Sequence, residues 1–268
     1  MVKIAVAGIG GRMGGLIARL AVEDAEIELT GATELSGHRL VGESLASILN
    51  IKELQGVVSD NPEDALKQAD VYVDFTSPSA TIKALEVCYQ LKKSAVVGTT
   101  GLNEEQEGKI REFAQNIAIV FSPNMSLGVN LLATLVEKTA SVLGADYDIE
   151  VVEAHHRMKA DAPSGTAILL AKSAAKGRGW ELEKCAVYGR EGRPGARPAE
   201  QIGIMAVRGG DIVGEHTVFF AGNGERIELI HRAHSRDTFA RGALRAVKWV
   251  AHKSPGLYSM MDVLGVKG

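Results

Sequence analysis

Through the first half of the chain, short apolar runs alternate with stretches in which apolar residues recur at helical spacing. Val2-Lys3-Ile4-Ala5-Val6-Ala7 breaks at Gly8, after which Leu16, Ile17, Leu20 and Ala21 mark one face of a helix. Ile27 to Ala32 is again strand-like and ends near Glu34. Asp70 to Thr76 leads into a helix from Ser79, and Ser94 to Gly101 into a helix from Asn103. Ala118 to Phe121 leads through Ser122-Pro123-Asn124-Met125-Ser126 to a helix from Gly128 to Leu143. Strand and helix in repeated alternation predict a Rossmann-like α/β domain, a doubly wound parallel sheet, over residues 1–126.

From Tyr147 the rhythm changes. Ile149 to Glu153, Ile202 to Val207, Glu215 to Phe220 and Arg226 to His231 read as strands, with one convincing helix among them, from about Thr166 to Lys176. This predicts an α+β domain with a mixed, largely antiparallel sheet over residues 127–236. One face of such a sheet needs a cover, and association with other subunits supplies one. Helical periodicity returns over Phe239 to Val250, so residues 237–268 are expected to complete the first domain. The Gly-, Arg- and Pro-rich stretch from Gly177 to Pro198 is expected to be a mobile loop flanking a short strand.

Composition narrows the function classes. The 268 residues are 46% hydrophobic, which is ordinary for a packed soluble protein. With 30 basic and 33 acidic residues the net charge is -3, which gives no bulk attraction to nucleic acid or to an anionic membrane. Any anion binding must be local. No apolar run approaches the roughly 20 residues that span a bilayer, and the opening residues carry no signal-type leader, so a cytoplasmic location is expected. Cys88 and Cys185 lie far apart without metal-ligand spacing and are expected to be buried free thiols, with no metal site.

Two stretches carry candidate chemistry. In Gly8-Ile9-Gly10-Gly11-Arg12-Met13-Gly14, Gly8 permits a tight turn, Gly10 and Gly11 let backbone approach a pyrophosphate, and Gly14 lets helix and strand pack closely. The spacing is Gly-x-x-Gly-x-x-Gly, since Met13 takes the place of the last glycine in the usual fingerprint. Glu34 follows about 20 residues on, where an acid holds ribose hydroxyls. Phe75-Thr76 and Gly98-Thr99-Thr100 close their strands at the carboxyl ends, where such sheets bind ligands. In the second half, His155-His156-Arg157-Met158-Lys159 precedes Asp161-Ala162-Pro163-Ser164-Gly165-Thr166, placing titratable cations before a helix that Ser164 can cap. That arrangement suits holding and protonating a small anion; it equally fits a surface histidine pair beside an ordinary capped helix. Met158 reads as a packing contact, and His231 and His234 as structural or surface residues.

Taken together, the glycine loop, Asp74-Phe75-Thr76, Gly98-Thr99-Thr100-Gly101, the run from His155 to Ala167 and Val207 to Thr217 resemble the 4-hydroxy-tetrahydrodipicolinate reductase family of bacterial lysine and diaminopimelate biosynthesis, end to end. The resemblance implies that the first domain binds NADH or NADPH and that the middle domain binds a cyclic imine dicarboxylate and builds a homotetramer. The family's proton-donating histidine falls on His155 and its catalytic lysine on Lys159. Substrate-binding positions fall on His156, Ser164, Gly165 and Thr166, with Arg236 a further basic residue. Cofactor positions fall on Gly8, Ile9, Gly10, Gly11, Arg12, Met13, Glu34, Gly98, Thr99, Thr100, Ser122, Pro123, Asn124 and Met125. Where many members carry a basic residue after the acid of the second strand, this chain has Leu35, so NADH is expected to be used at least as well as NADPH, with Arg12 or Arg39 left to meet a 2′-phosphate. A different dinucleotide-linked dehydrogenase and a non-enzymatic nucleotide sensor remain open alternatives; metal hydrolysis on adjacent His155 and His156 is disfavoured because neighbouring residues rarely converge on one ion.

Overall fold

The computed structural model describes residues 1–266, and the chain divides into two compact units. Unit 1 takes residues 1–127 and 237–266; unit 2 takes residues 128–236. Residues 267 and 268, assigned to the first domain from sequence, lie outside the described residues.

Unit 1 begins β1 (Val2–Ala7), α1 (Arg12–Val22), β2 (Ile27–Thr33), α2 (Leu45–Leu49), β3 (Val58–Ser59), α3 (Pro62–Leu66), β4 (Val71–Asp74), α4 (Pro78–Leu91), β5 (Ser94–Val97), α5 (Glu104–Phe113) and β6 (Ala118–Phe121). All its strand pairings are parallel. The central strands are mostly apolar because both faces are covered, as parallel sheets require. Ile4, Val6, Val71, Val73 and Val96 enter one apolar cluster with α1, while Ala5, Tyr72, Ala95 and Val97 enter another with α4 and α5. Helix starts follow local chemistry. Asn103 and Gln106 form a capping box at α5, whereas Gly11 caps α1 with no side chain at all. Gly8 turns the chain with φ 62°.

Unit 2 contains α6 (Leu127–Leu143, all but its first residue), β7 (Asp148–His155), α7 (Gly165–Arg178), α8 (Leu182–Cys185), β8 (Ala186–Tyr188), β9 (Ile202–Arg208), β10 (Gly214–Ala221) and β11 (Arg226–Ala233). The sheet runs β11-β10-β7-β9-β8. It is mixed: β11, β10 and β7 pair antiparallel, whereas β7, β9 and β8 pair parallel. One face is packed by α6 and α7 through Leu132, Val136, Leu170 and Ala174 onto Ile149, Val151, Val218 and Phe220. On the other face, Val152, Thr217 and Ile230 lie side by side across three strands, with no helix of unit 2 packed on them among the described residues. The loop expected from Gly177 begins later. Gly177 lies inside α7, where a Cβ would run into the Glu137 carbonyl of α6, and the helix ends at Gly179 in the left-handed region with φ 70°.

The chain then returns to unit 1 as α9 (Asp237–Val250), β12 (Gly256–Tyr258) and α10 (Met260–Leu264). Ala240, Ala243, Leu244 and Val247 of α9 join the α1 cluster. β12 adds to β6, completing a seven-stranded sheet ordered β12-β6-β5-β4-β1-β2-β3.

Candidate functional sites

In unit 1 a cleft of about 850 Å³ opens at the carboxyl ends of β1, β2 and β4, lined by Gly8, Gly10–Gly14, Glu34, Phe75 and Thr76 among others. Here the helix start and the turn are pressed together. A Cβ on Gly14 would lie 2.6 Å from the Ala7 carbonyl oxygen and nearer still to that of Gly8. The first amides of α1 lack intrahelical acceptors, so they remain available to an anion. Glu34 accepts from the Gly10 amide at 2.7 Å, and a Cβ on Gly10 would meet that carboxylate at 2.9 Å. This cradle fits a dinucleotide: small residues where phosphates must approach backbone, and a carboxylate at the end of β2 for ribose hydroxyls.

Gly8, Gly10, Gly11, Arg12, Met13 and Glu34 all line the cleft. Ile9 does not; its side chain is buried in the apolar cluster. Gly98 is backed against the Phe75 ring, where a Cβ would overlap it, and Thr99 is buried beside it while Thr100 is exposed. Ser122 to Met125 form a turn after β6, in which Ser122 Oγ donates to the Asn124 carbonyl at 2.8 Å and Asn124 Oδ1 accepts from the Ser126 amide at 2.9 Å. The Met125 side chain is buried in the core, so only its backbone could serve a ligand. None of Gly98–Thr100 or Ser122–Met125 lines this cleft.

Part of the cleft wall is a buried polar knot that sequence reasoning did not single out as a site. Asp74, 1% exposed, accepts from the Thr76 amide at 2.9 Å and from the Thr76 hydroxyl at 2.6 Å, and Thr81 donates to Thr99 at 2.8 Å. Burial raises the Asp74 carboxyl above its ordinary range, against the pull of the Thr76, Thr81 and Thr99 hydrogen bonds. Tyr72 shares a 2.7 Å hydrogen bond with Thr33, and its phenol is likewise pushed up by burial. The signal for both was a polar atom inside an otherwise apolar strand.

In unit 2 the His155 run builds a second site. β7 alternates so that Ile149, Val151, Glu153 and His155 face the covered side. Glu153 is fully buried and His155 8% exposed. The His155 Nδ1 and Glu153 Oε2 atoms are 2.6 Å apart. Arg208, opposite His155 in the β7–β9 register, donates to both Glu153 oxygens at 2.8 Å. Ser164 caps α7 by accepting from the Ala167 amide at 3.1 Å, and its own amide donates to Glu153 Oε1 at 3.0 Å. Ser164 Oγ also meets His216 Nε2 at 3.0 Å, and the His216 ring stands edge-on to His155 with centroids 5.2 Å apart. Lys159 reaches Asp161 at 2.9 Å. Gly165 is exposed and Thr166 half-buried on the first turn of α7, and His156 is half-buried beside the cluster.

The electrostatics follow from burial and pairing. Burial lowers the His155 pKa below its ordinary value; Glu153 opposes this, and Lys159 and Arg208 add to it. Arg157, in the same run as Lys159, is exposed, and the second cation that acts on His155 is Arg208 from β9. Burial works against the Glu153 charge, yet hydrogen bonds from Arg208, His155 and Ser164 bring it below the usual carboxylate range. Burial, assisted by His155, drops His216 to about 3. Arg236 is exposed and makes no ion pair among the described residues. Met158, read as a packing contact, is 81% exposed, because it sits at the tip of the turn between β7 and α7. Cys88 and Cys185 are both buried and free. Among the described residues no His, Cys, Asp and Glu side chains are grouped for metal ligation, and no helix is long and apolar enough to cross a membrane.

Comparison with known proteins agrees along the whole chain. Residues 2–125 match the family model described as dihydrodipicolinate reductase, N-terminus, and residues 128–264 that of the C-terminus. A 4-hydroxy-tetrahydrodipicolinate reductase of Thiobacillus denitrificans is 51% identical, with 99% of each chain covered. One from Syntrophotalea carbinolica is 48% identical over the full length of both. Among solved structures, a dipicolinate-bound dihydrodipicolinate reductase from Paenisporosarcina sp. TG-14 superposes with a TM-score of 0.76 at 26% identity, covering 98% of each chain. A myo-inositol dehydrogenase of Lactobacillus casei, 13% identical with a TM-score of 0.61 over 98% of this chain and 90% of its own, shares the fold alone. The chain therefore belongs to the dihydrodipicolinate (4-hydroxy-tetrahydrodipicolinate) reductase family of oxidoreductases.

Proposed function

We propose that the protein reduces the cyclic imine dicarboxylate of its family's reaction to tetrahydrodipicolinate, in cytoplasmic lysine and diaminopimelate biosynthesis, with NADH used at least as well as NADPH. The observation that carries this reading is the His155 cluster. One buried ring is anchored through Nδ1, leaving Nε2 as its free nitrogen, in the same cluster as a lysine and a helix N-terminus.

When bound, the reduced nicotinamide supplies a hydride. The glycine loop and the first amides of α1 hold its pyrophosphate, and Glu34 its ribose hydroxyls. Leu35, exposed at the rim, offers no charge to a 2′-phosphate, and Glu34 repels one. Lys159, exchanging Asp161 for a substrate carboxylate, and the first turn of α7 at Gly165 and Thr166 fix the dianion, while Ser164, whose amide is taken by Glu153, holds that turn in place. His155 donates the proton. Burial and its cationic neighbours keep it neutral in the free protein, and a bound dianion raises its pKa so that the ring is protonated when the acid is needed. The uncovered face of the unit 2 sheet, with Val207 and Ile230 exposed on it, suits assembly into a homotetramer.

The test follows oxidation of NADH and NADPH at their absorbance band, with substrate made in place from pyruvate and aspartate semialdehyde. Turnover is expected with both cofactors, and His155→Gln is expected to lose at least 100-fold in kcat. Full turnover by His155→Gln with an unchanged pH profile would remove His155 from the role. Cofactor binding without turnover would point to another dehydrogenase or a sensor.

A further inference from the structure

We propose that Glu153 is the positioning residue of the proton-transfer site. Its carboxylate fixes which nitrogen of His155 faces the substrate and, through its other oxygen, holds the first turn of α7 in register with that ring. This rests on His155 being the proton donor.

A carboxylate with no solvent exposure is costly unless every acceptor position is used. Glu153 meets that condition with four hydrogen bonds from three residues. Oε2 takes His155 Nδ1 at 2.6 Å and one Arg208 nitrogen at 2.8 Å; Oε1 takes the Ser164 amide at 3.0 Å and the other Arg208 nitrogen at 2.8 Å. Paired with a guanidinium, the carboxylate stays ionised and can only accept, so Nδ1 must carry a hydrogen. The exchangeable proton is then confined to Nε2. When it leaves for the substrate, imidazolium becomes the neutral Nδ1–H ring without turning, and a proton from water restores it. The approach to Nε2 is kept clear by Gly214 at the start of β10, where a Cβ would come within 3.0 Å of that nitrogen.

An ion pair needed only for folding would be complete with Arg208 alone, and an apolar pair would do as well or better. Here the same carboxylate also ties the ring to Ser164, whose hydroxyl caps the helix. A displacement of the helix start is therefore felt at the ring.

The charged and titratable groups around His155 are Glu153 on β7, Arg208 on β9, His216 on β10 and Lys159 in the turn, with His231 on β11 behind His216. Both His216 and His231 are held toward the neutral form by burial. The balance at His155 is thus set by burial and two cations against Glu153, and removing the carboxylate or a cation must move it in opposite directions.

The experiment measures kcat/KM against pH, with NADH, for the wild-type protein, Glu153→Gln, Arg208→Gln and His155→Gln, and records histidine 15N spectra of each. Glu153→Gln is expected to shift the alkaline limb to lower pH by about 1 unit or more and to abolish the single Nδ1–H tautomer of His155. Arg208→Gln, which keeps the carboxylate, is expected to shift the limb to higher pH. Should Glu153→Gln fail to fold, the wild-type 15N spectrum carries the test: a neutral His155 ring that holds its hydrogen on Nε2 rather than Nδ1 would overturn the positioning role. Unmoved limbs and an unchanged tautomer, with only a uniform fall in kcat, would overturn the positioning role while leaving His155 in place. A limb that survives in His155→Gln would overturn the reading of His155 itself.

Discussion

Replacing Gly14 with alanine tests the nucleotide cradle through geometry alone. The added methyl would lie 2.6 Å from both the Ala7 carbonyl oxygen and the Gly8 carbonyl carbon. Carbon contacts are comfortable near 3.5 Å, so the first turn of α1 must lift by roughly 1 Å. Overpacking of this kind costs about 1–3 kcal/mol of stability. The lift also displaces the amides proposed to hold the pyrophosphate, and each weakened charge-assisted hydrogen bond removes about 1.5–3 kcal/mol, a loss of tenfold or more in affinity. Gly108, within α5, supplies the control, since a Cβ there meets nothing within 4 Å. Gly108→Ala should gain about 0.8–1 kcal/mol from helix propensity and leave binding untouched. Thermal unfolding and titration of NADH by fluorescence read both effects. Wild-type affinity for NADH in a folded Gly14→Ala protein would refute the assignment of this loop to the cofactor.

Further expectations concern the rim of the cleft, the buried histidine and the open sheet. Leu35→Arg places a guanidinium where a 2′-phosphate would lie and should raise the NADPH to NADH ratio of kcat/KM by about 10- to 100-fold, as a hydrogen bond to a charged group contributes about 1.5–3 kcal/mol; an unchanged ratio would contradict the placement of the adenosine ribose at Glu34. Because His216 has a folded pKa of about 3 against an ordinary 6.5, the unfolded chain binds the extra proton between those values, so stability is full above pH 6.5 and falls on acidification by about 1.4 kcal/mol per pH unit. Urea unfolding at a series of pH values measures that slope, and an equal slope in His216→Gln would assign it elsewhere. Ile230→Glu, in the row formed with Thr217 and Val152, should dissociate the proposed homotetramer with little effect on the fold of one chain, as sedimentation would show; an oligomer that stays intact would move the interface to another surface.

The two halves of the fold differ in how far their residues announced them. Strands such as Val71–Asp74 and Ala118–Phe121 are apolar on both faces and bounded by helical periodicity, which makes a parallel sheet readable from one sequence. Elements of little more than a turn, among them α2, α3, α8 and α10, were missed because they are too short to show any period. The glycine loop could be read because each glycine answers a local steric demand. Glu153 could not be, although its signal was present: Ile149, Val151, Glu153 and His155 share the phase of the buried positions in β7, and a charged residue in that phase demands partners. Those partners lie 11 and 55 positions further along the chain, at Ser164 and Arg208. Arg208 meets Glu153 only because β7 and β9 pair in parallel with Arg208 opposite His155, and a slip of one residue would turn it to the other face of the sheet. Strand register, which no local pattern records, is what converts an acid in an apolar strand into the hub of a site.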